Sequence, residues 1–202
     1  MSQKRELEFL FEIGALRFQH RQWHRFFGIP FANITEHHYR VIWTALIIAA
    51  HEGATNTDKI MKMALVHDIP ESRAGDVDYI SRQYTERDEE LGVKDMLDDT
   101  PLAIEFVKLW CEYEDKSCME AKIVKDADNL DIDLELREQA VNGVTFEKTL
   151  ESMRDHVIET RLYTKTAKQM AKQIRSADPH DWHWLSPHNR LRGGDWRGKP
   201  KH

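Results

Sequence analysis

Between residues 4 and 27 the apolar positions Leu7, Phe9, Leu10, Phe11, Ile13, Leu16 and Phe18 recur at mixed three- and four-residue intervals, the spacing of a helix with a wide apolar face. Gly28 and Pro30 are placed to stop it. The pattern predicts a second helix capped by Thr35 and running to about His51, where Glu52-Gly53 supplies the stop, and a third from Asp58 to Asp68 capped by Thr57. Thr100-Pro101 reads as an N-cap followed by proline at the first helical position. Ser117-x-x-Glu120 reads as a capping box opening a helix that Asn142-Gly143 ends. Leu150, Met153, Val157, Leu162, Met170 and Ile174 keep roughly helical intervals and predict a last long helix from about Phe146 to Ile174. No alternating strand pattern of useful length interrupts the series, so the expected fold is all-α.

After Ala177 the period disappears. Asp178-Pro179-His180-Asp181-Trp182-His183-Trp184 is followed by Arg190, Arg192, Trp196 and Arg197 among glycines. The simplest reading of this tail is an irregular arm, packed or disordered; the functional one is contact with RNA, a partner subunit or the neighbouring active site. At 202 residues the chain suits one well-buried core, giving an expected domain over 4–177 and a C-terminal extension over 178–202. With 29 Lys+Arg against 35 Asp+Glu, the net charge of -6 argues against broad electrostatic capture of DNA or of an anionic membrane. The most apolar run, Val41 to Ala50, is too short to span a bilayer, which needs about 20 apolar residues. Cys111 and Cys118 form no Cys-x-x-Cys pair, and no secretory signal is evident, so a cytoplasmic location is expected.

The chemistry concentrates in Ala64-Leu65-Val66-His67-Asp68-Ile69-Pro70-Glu71, which sets an imidazole beside a carboxylate at the end of an apolar helix. His37 stands thirty residues upstream, and Asp128 sixty downstream in Lys125-Asp126-Ala127-Asp128-Asn129-Leu130, giving the spacing H…HD…D. Two imidazoles and two carboxylates make a mixed nitrogen and oxygen site suited to one divalent ion, Mn(II), Co(II), Fe(II), Mg(II) or Zn(II), with positions left for water and a phosphate oxygen. His38 competes with His37, and Asp126, Asp131 and Asp133 compete with Asp128; His51 reads as a helix-end residue.

This constellation resembles the HD-domain metal-dependent phosphohydrolases, a resemblance that implies a helical bundle. The family carries an acidic residue before its first histidine, which Glu36 matches and which favours His37, and an Ala-Asp-x-Leu stretch, which selects Asp128. His67, Asp68, Glu71, Gly75 and Asp76 are similar to the pattern of the 5'-deoxynucleotidase group, and the likeness runs from about residue 10 to residue 165. On that resemblance Glu71 would orient or deprotonate the attacking water and Asp76 would protonate the leaving oxygen. Trp23 stands at the offset where that group carries a tryptophan near phosphate and sugar. One branch has an arginine just before it, where this chain has Gln22; Arg17, Arg21 and Arg25 are the candidate replacements, Arg21 first, because a planar guanidinium meets phosphate oxygens in pairs. The stretch from Asp76 to Tyr84 could cover the site and offer Tyr79 or Arg82, and the run Glu86 to Glu90 reads as a solvated helix start.

The resemblance implies a nucleotidase acting on (deoxy)nucleoside 5'-monophosphates, with a nucleotide triphosphohydrolase or another small-ester phosphatase as the enzymatic alternative and a non-catalytic nucleotide- or RNA-binding module as the alternative of another class. The expected partners are a small nucleotide and a second copy in a homodimer, with neither membrane nor extended nucleic acid.

Overall fold

The computed structural model describes residues 3–184, and among these every regular element is helical; the sole β-type contact is an isolated bridge between His20 and Asn33. The helices are α1 (Gln3–Ala15), α2 (His24–Phe27), α3 (Ile34–Glu52), α4 (Thr57–Val66), α5 (Glu71–Ala74), α6 (Glu89–Leu97), α7 (Ala103–Glu114), α8 (Met119–Val141), α9 (Phe146–Thr160), α10 (Lys165–Ile174) and α11 (Asp181–Trp184). None of them is long and apolar enough to cross a membrane.

The core forms where α3 packs along α8 and both meet α4. Val41, Ala45 and Ile48 of α3, Ile60, Met63 and Ala64 of α4, and Ile123, Val124, Ala127 and Leu130 of α8 are fully buried there at helical spacing. α7 closes one side against α4, α9 and α10 lie on α8, and α6 joins α7 to α5. Phe27, Ile132 and Leu136 make a second apolar cluster with Trp23, Phe26 and Phe146.

Two expected long helices are broken, each by hydrogen bonds that no local pattern announces. The first ends at Ala15 and continues as a 3-10 turn over Leu16–Phe18 and an extended stretch. There the Gln19 carbonyl accepts from Ile34 N at 3.0 Å and the Gln22 N–H donates to Asp76 Oδ2 at 2.8 Å. The expected helix from Phe146 to Ile174 breaks at Arg161–Thr164, where buried Asp126 accepts from Tyr163 N, Thr164 N and Thr164 Oγ1 at 2.7–2.8 Å. Thr164 then caps α10. Asp126→Ala is expected to cost about 2–4 kcal/mol of stability, because it strands two buried donors, while Asp126→Asn costs less. Urea unfolding of both variants measures the difference.

Several caps shift as well. Asn33, not Thr35, caps α3, and Asn56, not Thr57, caps α4. Thr100 Oγ1 bonds within its own turn and α7 starts at Ala103, while Ser117 donates to the Glu112 carbonyl rather than closing a capping box at α8. The stop at Gly53 stands: it ends α3 at φ 69°, a left-handed conformation that glycine adopts at little cost. The run ending at Glu90 does open a helix, α6. In the tail, Asp181–Trp184 forms a helical turn in place of the expected irregular chain; the arginines, His188, Trp196 and His202 lie outside the described residues.

Candidate metal centre and catalytic cleft

Each ligand position has a local cause. Asn33 and Glu36 form a reciprocal capping box at 3.0 Å, fixing the first turn of α3 so that His37 faces α8. The acidic residue before His37 is therefore a cap. α4 ends at Val66 because Pro70 has no N–H to continue it, which leaves His67 at the C-cap and Asp68 just beyond. The chain turns once more through α5, carrying Glu71, and Asp76 follows Gly75 and is pinned by the Gln22 N–H. Asp128 projects from the middle of α8.

The four side chains meet. One donor atom from each of His37, His67, Asp68 and Asp128 lies within 4.8 Å of the other three. His37 Nε2 is 3.2 Å from His67 Nε2 and 3.4 Å from both Asp68 Oδ2 and Asp128 Oδ1. The opposite ring nitrogens are engaged elsewhere, His37 Nδ1 with Asp131 Oδ2 at 2.6 Å and His67 Nδ1 with the Ala64 carbonyl at 2.8 Å. With Nδ1–H donating in each case, both Nε2 atoms point inward, the arrangement that orients metal-ligating histidines. Asp131 is held in turn by Arg40, which also pairs with Glu135 and Glu138. Asp128 keeps Oδ1 toward the centre because Oδ2 accepts from Lys125 Nζ at 2.7 Å and Tyr113 Oη at 3.2 Å.

The field at this point favours positive charge. Burial and nearby Arg21 push His37 down, yet hydrogen bonds to Asp128, Asp131 and Asp68 outweigh them and raise it to about 10. Burial opposes ionisation of Asp128, but Lys125 and His37 hold it well below the usual carboxylate range. A cluster that stabilises added charge so strongly, with two inward imidazoles, fits a divalent cation.

Around it lies a cleft of about 200 Å³ whose lining includes Arg21, Trp23, Glu71, Asp76, Arg82 and Lys125. Burial, together with the charges of Asp68 and Asp76, pushes Glu71 well above the usual range, and its Oε2 has no hydrogen-bond partner among the described residues. Burial also raises Asp76, against the pull of Arg21 and the Gln22 N–H. Two carboxyls with raised proton affinity beside a cation site are candidates for proton transfer. Arg21 lies 3.1 Å from Asp68, 3.7 Å from Asp76 and 3.9 Å from Asp128.

The HD domain family profile matches residues 13–175. The chain belongs to the HD-domain family. Among curated relatives it is 37% identical over 112 residues to the 5'-deoxynucleotidase HDDC2 of Danio rerio, covering 52% of this chain and 54% of that one. The match to the human protein of the same name is 34% over 111 residues, 52% of this chain and 53% of that one. The chain thus spans about half the length of these relatives. The 5'-deoxynucleotidase YGK1 of Saccharomyces cerevisiae is 30% identical over 150 residues, 68% of this chain and 69% of that one. A solved structure from Magnetospirillum magnetotacticum, described as a predicted metal-dependent phosphohydrolase, superposes with a TM-score of 0.66 at 23% identity over 86% of this chain and 93% of that one. One from Pyrococcus horikoshii reaches 0.68 at 22% over 84% and 98%. At those identities the likeness is one of fold.

In this HD-domain chain the competing residues stand outside the cluster of four. His38 is buried beside His67 and away from the four converging donors, and His51 is exposed at the end of α3. Asp126 organises the α9–α10 break, Asp131 orients His37, and Asp133 takes a two-pronged contact from Arg154 at 2.7 and 2.8 Å. Of the three arginines, Arg21 lines the cleft, Arg25 pairs with Asp78 and Ser81, and Arg17 lies over the Phe18 ring. Trp23 faces the cleft and also stacks on Phe27, combining a site position with a packing one. Tyr79 stacks on Phe26 and Arg82 reaches the cleft wall. Sequence reasoning missed Lys125, Tyr113 and the orienting role of Asp131. Lys125 and Asp131 stand three residues either side of Asp128 on one helix, a spacing that could have flagged them.

Proposed function

We propose that this chain is a divalent-metal-dependent phosphohydrolase that releases phosphate from nucleoside 5'-monophosphates, deoxynucleotides preferred. The observation that carries the reading is the convergence of His37, His67, Asp68 and Asp128 beside two carboxyls of raised proton affinity in one small cleft. The names of the curated relatives support the substrate class. Residues 4–177 are read as the catalytic unit, 178–202 as an appended segment, and the assembly as a cytoplasmic homodimer.

A bound divalent ion, one of Mn(II), Co(II), Fe(II), Mg(II) or Zn(II), supplies Lewis-acid activation of water and of a phosphate oxygen. Glu71 takes the proton from the attacking water as its oxygen bonds to phosphorus. Asp76 gives a proton to O5' as the P–O5' bond breaks, so the products are the nucleoside and inorganic phosphate. Arg21 holds the phosphate, and Trp23 lies against the sugar.

A screen of purified protein across these metals and a panel of nucleoside mono- and triphosphates, read as phosphate release, tests the proposal. Release from monophosphates in a metal-dependent manner is expected; no release from any of them with any metal would overturn it. Arg21→Gln is expected to raise KM by about 10–100-fold, the loss of a charge-assisted contact. It should leave metal affinity equal or tighter, since a cation within 3.9 Å of two ligand carboxylates disappears. Steady-state kinetics and a metal titration check the two halves.

A further inference from the structure

The segment that carries Arg21 and Trp23 and the loop that carries Asp76 reach the cleft from different parts of the fold. The first, residues 19–27, is seated on α8 through Phe27, which packs with Ile132 and Leu136 and stacks on Phe146 at 4.2 Å between ring centroids. The second, residues 75–88, joins α5 to α6 and has one 3-10 turn of its own, Ser81–Gln83. Arg87 holds its start by donating to the Gly75 carbonyl at 2.7 Å.

Three contacts join the two segments in matching order. The Gln22 N–H donates to Asp76 Oδ2 at 2.8 Å, Arg25 Nη1 donates to Asp78 Oδ2 at 2.6 Å, and the Phe26 ring stacks on the Tyr79 ring at 5.0 Å. Asp78 is the centre of the join. It is buried; its Oδ1 accepts from Ile80 N and Ser81 N at 3.0 Å each, and its Oδ2 accepts from Ser81 Oγ at 2.8 Å as well as from Arg25. Arg25 Nη1 donates to Ser81 Oγ too, at 2.5 Å. A buried carboxylate with donors on both oxygens is held in one orientation. Yet neither Arg25 nor Asp78 lines the cleft or belongs to the four converging donors, whereas Arg21, Trp23, Asp76 and Arg82 of the same two segments do line it.

We propose that Arg25 and Asp78 are positioning residues for phosphate release: their bridge locks the phosphate-holding segment to the loop of the proton donor, so that Arg21 and Asp76 keep one spacing. The inference rests on the hydrolase reading. Arg21 Nη1 stands 3.7 Å from Asp76 Oδ2, and without the bridge one hydrogen bond, from the Gln22 N–H, and one exposed ring stack remain to hold that register. A misplacement of about 1 Å between a reacting bond and the group that serves it costs on the order of 100-fold in rate.

Asp78→Asn keeps an acceptor for Ile80 N and Ser81 N while turning an amide NH2 toward Arg25, and Arg25→Met breaks the bridge from the other side. Each should lower kcat for a nucleoside monophosphate by about 10–100-fold and raise KM. The loss in kcat should be smaller for a nitrophenyl phosphate, whose leaving group draws little on Asp76. Metal affinity, read by titration, should not change, and Arg25→Lys should recover most of the rate. The double variant should be no slower than the worse single one, since both remove the same contact. In hydrogen exchange the amides of Gln22, Ile80 and Ser81 should lose protection together in Arg25→Met. A bridge that serves stability alone would lower the melting temperature and leave the ratio of the two esters as it was. That result, or losses that multiply in the double variant, would overturn the proposal. If the unaltered chain releases no phosphate from either ester, the hydrolase reading fails by itself and exchange decides the bridge: a Gln22 amide protected as before in both single variants would refute it.

Discussion

His67→Ala is expected to lower affinity for a divalent ion by more than about 100-fold and to abolish phosphate release. The His67 side chain is fully buried, its ring is locked by the Ala64 carbonyl, and its Nε2 faces His37 Nε2 at 3.2 Å. Water entering the space left by the ring brings neither that orientation nor the same basicity. Asp131→Asn is the informative companion, since it spares all four ligands and alters only the group that fixes His37. Losing such an outer partner costs about 10–100-fold, so its effect should fall between wild type and His67→Ala. Elemental analysis after dialysis reads both. Full metal in His67→Ala and in Asp68→Ala would sink the assignment of the centre.

The ligands were legible because their positions are set locally: an apolar helix that must end before Pro70 places His67 and Asp68 together whatever the rest of the chain does. Asp128 was harder, because Asp126, Asp128, Asp131 and Asp133 share one helix. Only the resemblance to Ala-Asp-x-Leu separated them. Helical geometry does part of the same work: residues seven apart nearly align, and Asp126 and Asp133 indeed turn to α9 and α10, while Asp128 and Asp131 turn to α3.

The helix breaks were illegible for a different reason. Leu16 and Phe18 keep helical spacing across the point where α1 stops, and Leu162 does so across the α9–α10 break; both are decided by contacts with residues tens of positions away, Asp76 in one case and Asp126 in the other. The consequence for the site is direct, since the first break is what delivers Arg21 and Trp23 to the cleft. The caps were missed by one or two residues, where Asn33 accepts from Glu36 N and Asn56 from Lys59 N and each starts its helix ahead of the neighbouring threonine.

Asp76→Asn is expected to retain metal and substrate while reducing turnover of a nucleoside monophosphate by about 10²–10⁴-fold, the range for a lost general acid or base. Its side chain is buried, its carboxyl is raised by that burial, and it stands outside the four converging donors, so metal affinity has no reason to change. The asparagine amide can still accept from the Gln22 N–H, which keeps the loop in place. The loss should shrink for a nitrophenyl phosphate, because a nitrophenolate leaves without needing a proton. Glu71→Gln acts on the water instead, and so should slow both esters by the same factor. The ratio of the two rates in each variant therefore assigns the roles without relying on absolute activity. Equal slowing of both esters by Asp76→Asn, with metal still bound, would recast Asp76 as the residue that fastens its loop to Gln22.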